Sequence, residues 1–383
     1  MIVNSAEQCM TSGHWSSADY QYMAEAIRLA RLGVNTTDPN PRVGCVIVKD
    51  AAIVGRGYHV RAGEGHAEVN ALREAGDLAR GATAYITLEP CSHFGRTPPC
   101  AQSLIDVGLV RVVSAMQDPN PNVAGRGLAM LRDAGISSEV GLLEDQSRVL
   151  NPGFIKRMES GKPFVRLKLA MSLDGRTAMQ SGESQWITGP AARQDVQRLR
   201  ARSSAIITGI DSVLQDDSAL TVRDITLADE KGQFRQPLRV VLDTKARLPA
   251  TAAILKQPGR TLQVIADHKA SNVDSPAVSV LSCEQLQLRE SDQGIDLHSL
   301  LGYLSETEQC NEVLVEAGAR LAGAFIAARL VDELVVYMAP TLMGSDARPL
   351  LNWPLSTMDQ QQRLSLTDVR QMGDDIRLTY CFI

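Results

Sequence analysis

His66-Ala67-Glu68, Pro90-Cys91 and Pro99-Cys100 are the residues of this 383-residue chain whose types and order can do chemistry together. One imidazole and two thiolates make a tetrahedral zinc site with an open fourth position, the arrangement of a catalytic rather than a structural centre. A water on such a zinc ionises near neutral pH and can attack an amidine-like ring carbon. Glu68, two residues from the histidine, is placed to take the water's proton and return it to the ring nitrogen and to departing ammonia. The chemistry expected is hydrolytic deamination of an amino-substituted ring, with His66, Cys91 and Cys100 as metal ligands and Glu68 as the catalytic acid and base.

Regular elements have to hold these groups. Apolar residues recur at helical spacing over residues 19–32 (Tyr22, Met23, Ala26, Ile27, Ala30). The β-branched run 43–53 predicts a hairpin turning near Asp50. Gly63-Glu64-Gly65 leads as a loop into a helix that carries His66 and Glu68 and runs through Ala75. A strand over 82–88 ends at Glu89-Pro90-Cys91, and a helix follows at 100–107. Strand 111–115, helix 127–134 and a short strand near Ser138 complete the alternation, which implies a sheet covered by helices on both faces. The helix starts favour thiolate formation through their partial positive charge.

Breakers concentrate over 151–163 and predict a domain boundary. Beyond it, 164–170 alternates as a strand, with Val165, Leu167 and Leu169 against Arg166 and Lys168. Further strands are expected at 205–208, 239–242, 263–266, 312–315 and 333–338, with helices at 191–202 and 318–328. The polar stretches 224–236 and 268–293 read as surface loops. The division expected is an extension over 1–17, one domain over 18–160 and a second over 161–383.

Bulk properties narrow the function classes. The length exceeds what one core usually organises, which predicts two domains. A net charge of −5 and 4% aromatic residues oppose a nucleic-acid surface. No apolar run reaches the roughly 18 residues of a membrane span, and the first 17 residues do not read as a secretory leader. Of seven cysteines only Cys91 and Cys100 cluster, which implies reduced thiols and a cytoplasmic enzyme.

Zinc deaminases commonly show H-x-E followed by P-C-x-x-C, whereas here eight residues separate Cys91 from Cys100. Read with Asn40-Pro-Arg-Val-Gly44 and Gly57-Tyr-His59, that insertion resembles the pyrimidine deaminases of riboflavin biosynthesis. More closely, it resembles the bifunctional enzymes that fuse this domain to a reductase. The second half agrees, with Arg166-Leu-Lys168-Leu-Ala170-Met-Ser-Leu-Asp174-Gly-Arg176, Gln185-Trp186-Ile-Thr188-Gly189 and Thr208-Gly-Ile-Asp211-Ser212-Val-Leu-Gln-Asp216.

The resemblance, which runs from about Ala18 to the C-terminus, implies an α/β chain. A cytidine-deaminase-like α/β/α domain would precede a dihydrofolate-reductase-like α/β domain that uses NADPH. It implies that Asn40, His59, His93 and Arg96 line the deaminase substrate pocket; a loop-stabilising role is the plainer alternative for each. It further implies NADPH contacts from Ala170, Trp186, Ser212, Asp216 and the turn Gly318, Ala319, Arg320, Leu321, Ala322, Gly323 and Ala324. Ser184, Arg200, Leu220, Arg223 and Glu316 would meet the ribosylamino-pyrimidine phosphate.

Chemistry supports parts of that assignment. Glycines where a strand turns into a helix can present N–H groups to a phosphate, and a guanidinium offers paired donors with a permanent charge. Lys168 and Asp216 are candidates for polarising or protonating the opened sugar. The implied function is zinc-dependent deamination of 2,5-diamino-6-ribosylamino-4(3H)-pyrimidinone 5′-phosphate, followed by NADPH-dependent reduction of the ribosyl chain to ribityl. Small-molecule substrates and a homo-oligomer, dimer or tetramer, are expected, with no nucleic-acid or membrane partner. Two other readings stand beside this one: a deaminase acting on nucleic acid, and a deaminase whose second half only mediates oligomerisation. The acidic balance opposes the first; the retained Lys168, Asp174, Asp216 and Glu316 oppose the second.

Overall fold

Ser16 starts the first helix by a reciprocal cap: its hydroxyl oxygen accepts from the N–H of Asp19, whose carboxylate accepts from the N–H of Ser16. The computed structural model that shows this describes residues 15–92, 98–228, 232, 234–267, 283–291 and 294–383. His93 and Arg96 therefore lie outside the described residues, as do residues 1–14 of the expected extension. Two compact units form: one from the described residues up to 33 together with 42–150, the other from 34–41 together with 151–383.

The first unit runs α1 (Ser17–Ala30), β1 (Gly44–Lys49), β2 (Ala52–Tyr58), α2 (Ala67–Ala75), β3 (Thr83–Ile86), α3 (Cys100–Val107), β4 (Arg111–Ser114), α4 (Arg126–Asp133), β5 (Ser137–Val140) and α5 (Glu144–Arg148). Its sheet has the order β2-β1-β3-β4-β5. β1 is antiparallel to β2 and β3, while β3, β4 and β5 are parallel. The two-residue period of the strands divides the core into two faces. Val46, Val48, Tyr85 and Val113 pack with Met23, Ala26 and Ile27 of α1. Cys45, Ile47, Ala84, Ile86 and Val112 pack with Ala67, Ala71 and Ala75 of α2, Leu104 of α3 and Leu131 of α4. The hairpin turn falls at Asp50 and Ala51, both left-handed, with φ of 49° and 60°.

The second unit contains α6 (Pro152–Ser160), β6 (Phe164–Ser172), β7 (Arg176–Ala178), α7 (Pro190–Arg202), β8 (Ala205–Gly209), α8 (Ile210–Asp216), β9 (Leu238–Leu242), β10 (Thr261–Ala266) and β11 (Glu284–Leu288). It continues with β12 (Glu290–Ser291), β13 (Gly294–Ile295), α9 (Leu297–Glu306), β14 (Glu312–Glu316), α10 (Ala319–Ala327), β15 (Glu333–Ala339), β16 (Arg348–Pro349), β17 (Leu364–Met372) and β18 (Asp375–Phe382). The main sheet has the order β11-β10-β9-β8-β14-β6-β15-β18-β17. It is parallel from β11 to β15 and ends in the antiparallel pair β18 and β17. Val165, Leu167, Val240, Val264 and Val313 pack with α9 and α10. Ile206, Val241, Leu314 and Val335 pack with Ala192, Val196 and Leu199 of α7. The chain's strand order switches direction between β6, β14 and β8, where open parallel sheets bind ligands at their carboxyl ends.

Several sequence expectations change. The expected boundary over 151–163 lies where the second unit resumes, and its breakers frame a helix: Pro152 opens α6, and Gly161, at φ 69°, closes it in the left-handed conformation. Residues 284–288, expected in a loop, form edge strand β11, mostly exposed and with only Leu286 and Leu288 packed on the core, a signal too short to stand out in a polar stretch. Helices α8 and α9 and the hairpin of β17 with β18 were not expected either. Residues 34–41 group with the second unit because the Asp38 carboxylate accepts from Ser204 Oγ at 2.8 Å and Asn311 Nδ2 at 3.1 Å. No helix among the described residues is long and apolar enough to cross a membrane.

Candidate active sites

His66 is the N-cap of α2, and Cys100 is the first residue of α3. Cys91 follows the carboxyl end of β3. These ends bring His66 Nδ1 to 3.2 Å from Cys100 Sγ and 3.7 Å from Cys91 Sγ, and all three ligand atoms lie within 4.8 Å of one another. Zinc bonds of roughly 2.0–2.3 Å set tetrahedral ligand atoms about 3.3–3.8 Å apart, so both the donor set and its spacing suit zinc. The N–H of Cys100 donates to Cys91 Sγ at 3.3 Å, the helix-start stabilisation that a thiolate needs.

Charge in this cluster is unevenly shared. A hydrogen bond from Cys100 holds the Cys91 thiol well below its usual range, with burial opposing it and His66 adding to it. The Cys100 thiol is correspondingly pushed up, first by that hydrogen bond and then by burial. A divalent cation in place of the shared proton would leave both sulfurs as thiolates. Glu68, in the first turn of α2 and 4% exposed, is pushed up to about 7 by burial, against the pull of His66. A carboxyl tuned near neutrality is suited to taking and returning a proton.

His59 is buried, and burial lowers its pKa. Its Nδ1–H donates to the Gly65 carbonyl at 3.1 Å, and its ring meets that of His66 edge-on with centroids 5.3 Å apart. Asn70 Nδ2 donates to the same carbonyl at 3.3 Å. The residue before the histidine ligand is thus held from two sides. Asn40 lies in the 34–41 segment that groups with the second unit.

In the second unit, Lys168 and Glu316 are register partners on β6 and β14. Glu316 accepts both forks of Arg200, at 2.6 and 2.9 Å, within largely buried surroundings. Burial alone would raise the Glu316 carboxyl, but Arg200 and then Lys168 hold it below the usual range. Lys168 is lowered mainly by burial, and its Nζ lies 6.0 Å from the Tyr337 ring centre. It is not an outward strand lysine. Ser184 Oγ donates to Asp216 Oδ1 at 2.8 Å, joining two expected site residues. Trp186 is 69% exposed, with the Arg193 guanidinium 4.7 Å from its ring centre. Leu220 is buried at φ 49°, next to Thr221, whose carbonyl accepts from Arg200 at 3.2 Å. Ser212 and Ala170 are partly buried, on α8 and β6.

Of the two arginines expected at the phosphate, Arg200 gives its fork to Glu316, while Arg223 is exposed. Two expectations need correction here. Ala322 is fully buried in the core, so it cannot line a cofactor surface. Gly323 is fitted against Asn352, where an added Cβ would come within 2.2 Å of the carbonyl oxygen, so its glycine serves packing. Of the turn, Gly318, Ala319, Arg320 and Leu321 keep exposed or partly exposed surface, as in part does Ala324. Gly318 and Ala319 open a nine-residue helix with N–H groups toward the carboxyl end of β14.

Comparison with known proteins bears on both units. The family model of the cytidine and deoxycytidylate deaminase zinc-binding region matches residues 16–116, and that of the RibD C-terminal domain matches 163–378. The riboflavin biosynthesis protein RibD of Escherichia coli is 52% identical over 368 residues, covering 94% of this chain and 98% of that protein. The chain belongs to the RibD family. The solved RibD of Acinetobacter baumannii is 49% identical with a TM-score of 0.88, covering 96% of this chain and 99% of its own. A Thermotoga maritima structure, described as a diaminohydroxyphosphoribosylaminopyrimidine deaminase/5-amino-6-(5-phosphoribosylamino)uracil reductase, is 31% identical with a TM-score of 0.83. It covers 96% of this chain and 99% of its own. This RibD chain therefore carries a cytidine-deaminase-like domain followed by a RibD reductase domain. What sequence reading missed in it are Asn70 and Glu89, both of which bind main-chain atoms that leave no mark in the order of residue types.

Proposed function

We propose that the first unit deaminates a diaminohydroxyphosphoribosylaminopyrimidine and that the second reduces the resulting 5-amino-6-(5-phosphoribosylamino)uracil, two steps of riboflavin biosynthesis. The observation that carries this reading is the convergence of His66, Cys91 and Cys100 beside buried Glu68, in a chain whose other half matches the RibD C-terminal domain. His66 Nδ1 and the two sulfurs would hold zinc, which supplies Lewis-acid activation of water at the open position. Glu68 would take the water's two protons in turn, passing one to the ring nitrogen and one to the departing amino group. Water and the amino substituent thus become a carbonyl and ammonia. His59, fixed by Gly65, lies beside the metal ligand, where it can orient the ring. Asn40, His93 and Arg96 rest on the resemblance alone.

In the second unit NADPH would supply the hydride. Gly318 to Leu321, Trp186, Ser212 and Ala170 are the proposed cofactor contacts. Ser184, Leu220, Arg223 and Glu316 are proposed to meet the substrate. Lys168 Nζ, beside Glu316, and Asp216, holding Ser184, are the groups that would hold or pass a proton at the opened sugar. The six described cysteines are all free, which supports a reducing, cytoplasmic setting. Chelation tests the division of labour. Removing zinc should abolish ammonia release and leave NADPH oxidation on the deaminated substrate unchanged, with deamination returning on zinc addition. Undiminished ammonia release after complete zinc removal would contradict it.

A further inference from the structure

We propose that Glu89 is the positioning residue of the metal site, fixing Cys91 through the main chain two residues upstream. The inference rests on reading His66, Cys91 and Cys100 as zinc ligands. Glu89 is 3% exposed, and among the described residues its carboxylate pairs with backbone N–H groups rather than with a cation. Oε2 accepts from Asp118 at 3.1 Å and Gly125 at 2.9 Å; Oε1 accepts from Gly127 at 2.9 Å and Leu128 at 3.3 Å. All four donors belong to the loop that becomes the first turn of α4. The Glu89 N–H donates in turn to the Met116 carbonyl at 2.9 Å.

Pro90 is clamped by the same loop. A Cβ on Gly127 would stand 2.0 Å from the Pro90 oxygen, so the main chains touch there. Downstream, the Cys91 carbonyl accepts from the N–H of Ala101 at 3.2 Å. Cys91 is therefore held on one side by α3 and on the other by Glu89. A buried carboxylate without a cation is costly unless its lone pairs are filled, and four convergent N–H groups do fill them. Glutamine keeps one acceptor oxygen and turns an NH2 toward two donors. The loop must then shift, and Cys91 Sγ shifts with it. Metal sites tolerate ligand displacements of about 0.2 Å, and loss of a group that orients a ligand typically weakens metal binding by about 10–100-fold.

The test uses the full chain and the variants Glu89→Gln and Glu89→Asp. Zinc affinity is read by chelator competition, and site geometry by the visible spectrum of the Co(II)-substituted protein. NADPH oxidation on the deaminated substrate controls for the second unit. Glu89→Gln should raise the zinc dissociation constant about 10–100-fold and move the cobalt bands, with NADPH oxidation within about twofold of the parent. An unchanged zinc constant with a superimposable cobalt spectrum would overturn the proposal. If Glu89→Gln unfolds the first unit, seen as lost hydrogen-exchange protection in α1, Glu89→Asp is decisive because it keeps both oxygens. Weakened zinc and a shifted spectrum in a folded Glu89→Asp support positioning; parent-like binding, or unfolding of that variant too, overturns it. A parent chain that binds zinc but releases no ammonia would sink the functional reading and leave the Glu89 assignment intact.

Discussion

Glu68 and Glu316 are both carboxyls taken out of water, and their neighbours set them to different tasks. Among the described residues no arginine forks onto Glu68, and burial brings it to about 7, where it can exchange protons. Glu316 holds Arg200 in a two-pronged pair and stays ionised. Glu68→Gln should therefore retain zinc while ammonia release falls by about 10²–10⁴-fold, the usual share of general acid–base catalysis; metal analysis alongside an ammonia assay checks both. Loss of zinc in that variant would make Glu68 a ligand instead. Arg200→Met should strand the buried Glu316 charge, costing about 3–5 kcal/mol, and calorimetry should show a correspondingly lower melting transition for the second unit. A melting point unchanged by the substitution would mean that the pair contributes nothing to the fold. At this scale the cluster of His66, Cys91 and Cys100 was legible because its chemistry is written in residue type and order. The pairing of Arg200 with Glu316 could not be read, because the two are distant in sequence and near only through β14 and α7. Glu89 was invisible because its partners are backbone groups.

At the scale of elements, chain ends do the placing. His66 and Cys100 stand where helices begin, Cys91 where a strand has ended, and the first unit's alternation of helix and strand was readable from periodicity. Periodicity failed where one partner surface was missing. Edge strand β11 offers only Leu286 and Leu288 to the core, in a short stretch rich in Glu and Gln, and β17 is exposed along most of its length, so the apolar signal of each is weak. The breakers over 151–163 fall where the second unit resumes, and there proline and glycine mark the two ends of α6. The hairpin between β1 and β2 gives a direct check of turn chemistry. Ala51 is exposed at φ 60°, a conformation that costs a non-glycine residue roughly 1–2 kcal/mol. Ala51→Gly should stabilise the first unit by about 1 kcal/mol or slightly less, because glycine also gains freedom in the unfolded chain. Denaturant unfolding that shows destabilisation would mean the turn is held differently.

At the scale of the molecule, two units carry two different kinds of site. The first sets a nitrogen and two sulfurs around a cation position beside a buried carboxyl. The second gathers Lys168, Glu316 and a helix start at the carboxyl ends of a parallel sheet. The two-unit organisation was foreseeable from length and from the cluster of breakers. The inclusion of residues 34–41 in the second unit was not, because it depends on Asp38 meeting Ser204 and Asn311. One chain is expected to perform a hydrolytic step and then a reductive one on the same pyrimidine. Mass spectrometry of the products from the diamino substrate, with and without NADPH, tests it most directly. Without NADPH an amino group should be replaced by oxygen, a gain of about one mass unit, with a further gain of about two when NADPH is present. Reduction of the substrate with its amino group intact, or no change on adding NADPH to an active deaminase, would contradict it.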